Sequence, residues 1–294
     1  MSSAVDVAET IAVMRMKEGT TYICTSYLPE PRFSKSEHVD EECRVKMVDW
    51  CFQVVEFCNF SREVVVVGMS YLDRFLCTTY GTPFLEDRKL FQLAAMCCLY
   101  MSAKLFESRS LDLGLLSQLS RGVYSEKEIA DMETTILCAL NWFVHPPTAV
   151  SFINESLRSL PSLPLNSEDL TAIVDLSRRQ TFLAVRDFSF VSLKQSSIAV
   201  AAIVNSLSTV SNITGPARST ILSHISEVTG INLRSPEITQ ARDMLRQCWE
   251  KSRVSPGGLM SQPGNNSGRH DAEKMCQGSD SPICVSRHSP RALA

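Results

Sequence analysis

The sequence predicts an all-α protein made of two tandem five-helix units, with a short N-terminal helix and a disordered C-terminal tail. Three observations carry this. Apolar residues recur at helical spacing through most of residues 39–251, as at Val45, Val48, Phe52 and Val55. The segments between helices hold no two-residue hairpin signal of the Asn-Gly or Asp-Gly kind. In both halves the third helix is the most apolar, Leu93-Ala94-Ala95-Met96 in one and Ile198-Ala199-Val200-Ala201-Ala202-Ile203 in the other. A helix apolar all round belongs at the centre of its unit.

Residues 1–38 hold one short amphipathic helix, Val5 to Lys17, and then an irregular Tyr27-Leu28-Pro29-Glu30-Pro31 stretch. The first unit, 39–145, opens with a helix from Glu41 to Phe57. The second helix starts behind Ser61 as N-cap and runs to Leu76. Its Val64-Val65-Val66-Val67 run favours a strand by local propensity. The longer apolar pattern around it decides for a buried helix. A third helix spans Glu86 to Phe106 and a short fourth Leu111 to Leu119. The fifth begins with a capping box, Ser125 and Glu128, in which hydroxyl and carboxylate satisfy each other's backbone amides. It ends near Leu140, before His145-Pro146-Pro147 forces an extended break.

The second unit, 146–251, repeats the rhythm with helices at Ala149–Arg158, Ser167–Val185, Leu193–Ser208, Ala217–Thr229 and Pro236–Trp249. Ser235-Pro236-Glu237 is a strong start, with a serine N-cap and proline at the first helical position. Residues 252–294 turn to Ser, Pro, Gly, Asn and Gln with no apolar period, the composition of a disordered tail. Ser255, Ser281 and Ser289 each precede proline there and are candidate phosphorylation sites, or simply ordinary tail composition.

Composition narrows the function classes. The chain of 294 residues carries a net charge of −3, so no overall field draws it to nucleic acid or an anionic membrane. Apolar stretches such as Leu93 to Ala103 fall short of the roughly 20 residues a membrane span needs. Met1 to Thr10 has no basic region of the signal-peptide kind. The eleven cysteines include no C-x-x-C pair, and Cys51, Cys58, Cys77, Cys97, Cys98 and Cys138 fall in apolar helical stretches. They read as packed free thiols in a reducing compartment, not as metal ligands or disulfides. No cofactor is expected. There is no phosphate-cradling glycine loop, no G-x-S-x-G and no His-Glu-x-x-His, and the five histidines form no catalytic constellation. The chain does not read as an enzyme.

Four charged residues within otherwise apolar helices need partners: Arg44, Asp73, Lys104 and Glu133. Together with Val48-Asp49-Trp50, Leu72-Asp73-Arg74-Phe75-Leu76, Ala94-Ala95-Met96, Ser102 to Glu107, Met132-Glu133 and Leu140, they stand in an order and spacing that resembles the cyclin family. The resemblance covers 39–145 as a cyclin box and extends more weakly over 146–251 as a second cyclin fold. It implies a partner, a cyclin-dependent protein kinase held in a heterodimer, and a regulatory role in cell-cycle progression in nucleus and cytoplasm. The short N-terminus and Pro/Ser-rich C-terminus lean towards a G1 or nutrient-responsive cyclin, and a protist lineage-specific cyclin fits equally.

Residue by residue, the resemblance implies that Arg44 and Asp73 pair within the box. Lys104 and Glu133 face the kinase near its mobile αC helix, with Leu105 and Phe106 as apolar contacts. Other readings stand beside these. Lys104 is also a cation at a helix C-terminus, favourable by about 0.3–1 kcal/mol against the dipole. Glu133 alone is an ordinary solvated residue, and Arg44 beside Glu41 and Glu42 a surface pair of little value. Met47, Trp50 and Gln92 match a shallow groove that takes kinase substrates or inhibitors carrying Arg-x-Leu motifs. Lys46 and Cys43 stand where larger apolar residues are usual, and core packing is the alternative for Trp50. A cyclin-fold scaffold without a kinase, or a transcription-factor adaptor, are the competing functions. The second would want a basic face and a zinc ribbon, which the sequence does not offer.

Overall fold

The computed structural model describes residues 4–28, 38–109, 111–160 and 166–254, and these are all-helical apart from turns and connections. The chain divides into two compact units, one from Cys24 to His145 and the other joining the N-terminal residues through Ile23 to those from Pro146. Cys24–His145 holds α2 (Glu41–Phe57), α3 (Glu63–Leu76), α4 (Arg88–Phe106), α5 (Leu113–Leu119) and α6 (Glu126–Ala139). The other unit holds α1 (Ala4–Glu18), α7 (Ala149–Arg158), α8 (Ser167–Ala184), α9 (Gln195–Thr209), α10 (Gly215–Thr229) and α11 (Pro236–Val254).

Short polar side chains begin the helices by accepting orphan amides of the first turn. Asp40 accepts from the Cys43 amide at the head of α2, Asp87 from Lys89 and Leu90 at α4, and Asp112 from Leu115 at α5. At α6 the Ser125–Glu128 capping box is present in both directions. Where the boundaries differ from the sequence reading, these caps explain it. Asp87, not Glu86, starts α4, and the residues before it form a 3-10 turn, Thr82–Leu85. Arg62, not Ser61, is the N-cap of α3 and makes no side-chain cap bond. Ser61 Oγ still accepts from the Glu63 amide at 3.2 Å.

In the first unit α4 is the centre, buried from Phe91 to Ala103. It is long and apolar enough to cross a membrane by length and composition alone, contrary to the reading from Leu93–Ala103. Most of it is buried inside its own unit. Val64 to Val67 are all buried on α3, so packing overrides their strand propensity. Gly68 lets α3 lie close to α4: a Cβ there would stand 3.0 Å from Ser102 Oγ and 3.2 Å from the Cys98 carbonyl oxygen.

The second unit is organised round α9, buried from Ser196 to Leu207. A buried amide network crosses it. Gln180 Nε2 donates to the Ala202 carbonyl (3.2 Å) and to Ser206 Oγ (2.9 Å), and Asn205 Nδ2 donates to the Arg242 carbonyl (3.0 Å). Helix α1 is part of this core and not a separate extension as residues 1–38 suggested. Val7 and Ile11 are buried against Phe152, Ile153 and Ile225 among others. Glu18 locks the end of α1, accepting from the Ser196 amide (2.9 Å) and hydroxyl (2.5 Å). Burial raises the Glu18 carboxyl above its ordinary value despite those donors. At the other end of the unit α11 continues to Val254, past the expected start of the tail, with Lys251 and Arg253 in its last turn favouring the helix dipole. The remainder of the tail, with Ser255, Ser281 and Ser289, lies outside the described residues.

Candidate partner-binding site

Helix α4 emerges from the core at its C-terminal end, and there its burial stops. Lys104, Leu105 and Phe106 follow the buried Ala103 and are exposed, Leu105 at 45% and Phe106 at 44%. Helix α6 runs beside this end and presents Glu133. Lys104 Nζ donates to Glu133 Oε1 at 3.1 Å and Oε2 at 3.5 Å, and lies 5.6 Å from the centre of the Tyr100 ring. The Glu133 hydrogen bond raises the Lys104 ammonium above its ordinary value. The lysine side chain is half exposed and the glutamate 18% exposed. Such a pair contributes about 0–1 kcal/mol to the fold.

Phe106 also meets His145, ring centres 5.5 Å apart. The connection after α6 adds aromatic surface that the sequence reading missed: Trp142 and Phe143 are exposed. Asn141 and Trp142 both adopt positive φ, 50° and 62°, a conformation rare for a bulky side chain. Buried groups of α3 hold it. Arg74 Nη2 donates to the Phe143 carbonyl (2.9 Å), and Tyr71 Oη to the Val144 carbonyl (2.5 Å). The available signal was an Asn-Trp-Phe run placed between a helix end and two prolines, where burial gives no reason for aromatics.

Beneath the surface the structure brings Arg44 and Asp73 together. Arg44 Nε donates to Asp73 Oδ1 (3.0 Å) and Nη2 to Oδ2 (2.8 Å), a two-point contact between α2 and α3. Tyr27 was not anticipated there: its hydroxyl donates to Asp73 Oδ1 at 2.7 Å. Burial alone would depress the Arg44 guanidinium, but the carboxylate outweighs it and the pKa is raised. Tyr27 is raised by burial and by the same carboxylate. Each charge is satisfied, as a buried pair requires.

Met47, Trp50 and Gln92 do not form an open groove. Met47 and Gln92 are fully buried and Trp50 almost so, all three in the interior of the unit. The buried face of α2 is wide enough to take in position 50. Lys46, at the edge of that face, pairs with Glu42 at 2.8 Å. These residues sit as core, which corrects the groove expectation. Among the described residues no group of three or more His, Cys, Asp or Glu is placed to hold a metal ion.

The model of the cyclin N-terminal domain matches residues 9–145. Cyclin-D3-3 of Arabidopsis thaliana is 30% identical over 177 residues, 58% of this chain and 47% of that protein. G1/S-specific cyclin-D2 of Rattus norvegicus is 29% identical over 181 residues, 60% of this chain and 59% of that protein. The chain thus spans less than two thirds of the length of these relatives. The X-ray structure of a viral cyclin from herpesvirus saimiri superposes with a TM-score of 0.60 at 15% identity, covering 82% of this chain and 97% of that one. At that identity the likeness is one of fold.

Proposed function

We propose that this chain, whose residues 9–145 match the cyclin N-terminal domain, is a cyclin: the regulatory subunit of a cyclin-dependent Ser/Thr protein kinase, acting in G1 or at G1/S in nucleus and cytoplasm. The observation that carries the reading is the Lys104–Glu133 pair with Leu105 and Phe106 at the exposed end of an otherwise buried helix. Two rigid helices present a cation, an anion and apolar surface that the fold itself hardly needs. Directional ionic hydrogen bonds of this kind fix where a partner's backbone docks.

In this reading the face takes the kinase's αC helix and adjoining activation segment in their active arrangement. Tighter binding to that arrangement than to the inactive one shifts the kinase population towards it. The kinase then completes its own Lys–Glu pair and metal site and performs the chemistry. The G1 or G1/S assignment draws on the D-type names of the relatives and is part of the proposal.

The test is to purify the tagged chain from its own cells and assay the eluate for protein kinase activity, beside the Lys104→Ala/Glu133→Ala variant. Each hydrogen bond to a charged group is worth about 1.5–3 kcal/mol, so the double variant should lose at least tenfold of the co-purifying activity. Its circular dichroism and unfolding midpoint should match the parent. A folded double variant that retains full activity would remove this face from the mechanism. A parent chain that brings down no kinase would favour the scaffold reading.

A further inference from the structure

Two cysteines have no role in the core or in the kinase-facing surface. Cys77 is the C-cap residue of α3 and is exposed, and Cys24 lies on the non-helical stretch 24–27 of the same unit. Their sulfurs are 3.4 Å apart. Of the other described cysteines, Cys43, Cys51, Cys97 and Cys98 are buried, Cys58 and Cys248 half-buried and Cys138 exposed, and Cys97 donates to the Ile129 carbonyl at 3.6 Å. Sulfurs at 3.4 Å need to close by only about 1.4 Å to reach disulfide bonding distance. One of the two sits on a non-helical segment that can supply the movement.

The local chemistry favours reaction at Cys77. Either sulfur can donate to the other, and Thr25 Oγ1 donates to Cys77 Sγ at 3.7 Å. As a thiol Cys77 can itself donate to the Thr25 carbonyl at 3.4 Å. The hydrogen bond with Cys24 lowers the Cys77 thiol to about 6, while that pairing and burial raise Cys24. The exposed Cys77 is thus the readier thiolate and the half-buried Cys24 its proton-holding neighbour, the arrangement of an attacking and a resolving thiol.

We propose that Cys24 and Cys77 are an oxidisable dithiol, converted by hydrogen peroxide into an intramolecular disulfide that staples residues 24–28 to the end of α3. The Cys77 thiolate attacks one peroxide oxygen, the O–O bond breaks, and the departing hydroxide takes up a proton to become water. Cys77 is left as a sulfenic acid. The Cys24 sulfur then attacks the Cys77 sulfur, the S–O bond breaks, and a second water leaves with the Cys24 proton. Two thiols and one peroxide give one disulfide and two waters; the sulfurs lose two electrons and the peroxide gains them. The staple holds Tyr27, three residues from Cys24, on the Asp73 side of the buried ion pair. This inference does not rest on the kinase reading.

The experiment treats the reduced full chain with near-stoichiometric hydrogen peroxide, blocks remaining thiols with iodoacetamide and maps the digest by mass spectrometry without reductant. The expected result is a linked Cys24–Cys77 peptide pair about 2 Da below the sum of its parts, separated again by dithiothreitol. Cys138→Ser, which removes another exposed thiol, should leave the link intact. Cys24→Ser should leave Cys77 as a sulfenic acid that dimedone traps, a readout that survives even if Cys77→Ser folds poorly. Several results would overturn the proposal. They are no reaction at Cys77, its conversion to sulfinic or sulfonic acid while Cys24 is alkylated, and a Cys77 bridge to another cysteine or to a second chain.

Discussion

Arg44 is almost inaccessible to solvent and pairs with the carboxylate of Asp73, which is similarly buried. Removing one partner strands the other charge in the interior, which typically costs about 3–5 kcal/mol. Asp73→Leu and Arg44→Met should therefore each lower the urea midpoint substantially. The Arg44→Met/Asp73→Leu double variant should be far more stable than the sum of the two losses, since it buries no lone charge. Additive losses in the cycle would mean that the two side chains are not coupled. The residues alone said that a buried Asp73 needs a cation; that Arg44 supplies it was legible only through the resemblance to the cyclin box. Tyr27 was legible in neither way: it lies in a proline-rich stretch with no periodicity to place it against Asp73. Trp50 was ambiguous for a different reason. Helical spacing says which face a residue occupies, but not how wide the covered part of that face is, and here it extends over position 50.

At the scale of the element, helix starts were legible where one residue both caps and breaks, as at Ser125 and Ser235. The 3-10 turn Thr82–Leu85 was not, because four residues carry no period. That turn shows where backbone, not side chain, limits the sequence. Gly81 caps it at φ −83°, a value open to any residue. A Cβ there would nonetheless lie 2.0 Å from the Phe75 carbonyl oxygen and 2.7 Å from Leu76 Cα. The Gly81 amide donates to the Thr78 carbonyl and hydroxyl, each at 3.1 Å, so the turn cannot move away without losing both. Gly81→Ala should accordingly destabilise the first unit by about 1–3 kcal/mol through overpacking. Thermal unfolding followed at the buried aromatics would register it. An unchanged midpoint would mean that the turn yields freely, and that the close approach at Gly81 is not required to seat α4 after α3.

Over the whole molecule, the two five-helix rhythms were legible because each unit centres on one helix apolar all round, α4 and α9. What local pattern could not reveal is that the chain's first helix completes the second unit. Glu18 and Ser196 are 178 positions apart, and no periodicity within α1 points across that distance. The physical consequence is cooperativity between α1 and residues 146–254. Ile11 is completely buried in the core shared with α7, α9 and α10. Ile11→Ala leaves a cavity there, and such truncations cost about 2–5 kcal/mol. If α1 is a structural part of that unit, the loss appears as faster amide exchange throughout α7, α9 and α10, measured by mass spectrometry on the full chain. Helices α2 to α6 belong to the other compact unit and should keep their protection. Exchange that quickens in α1 alone would mean that the helix frays independently and that 146–254 holds its fold without it. Faster exchange in both units together would mean instead that they unfold as one.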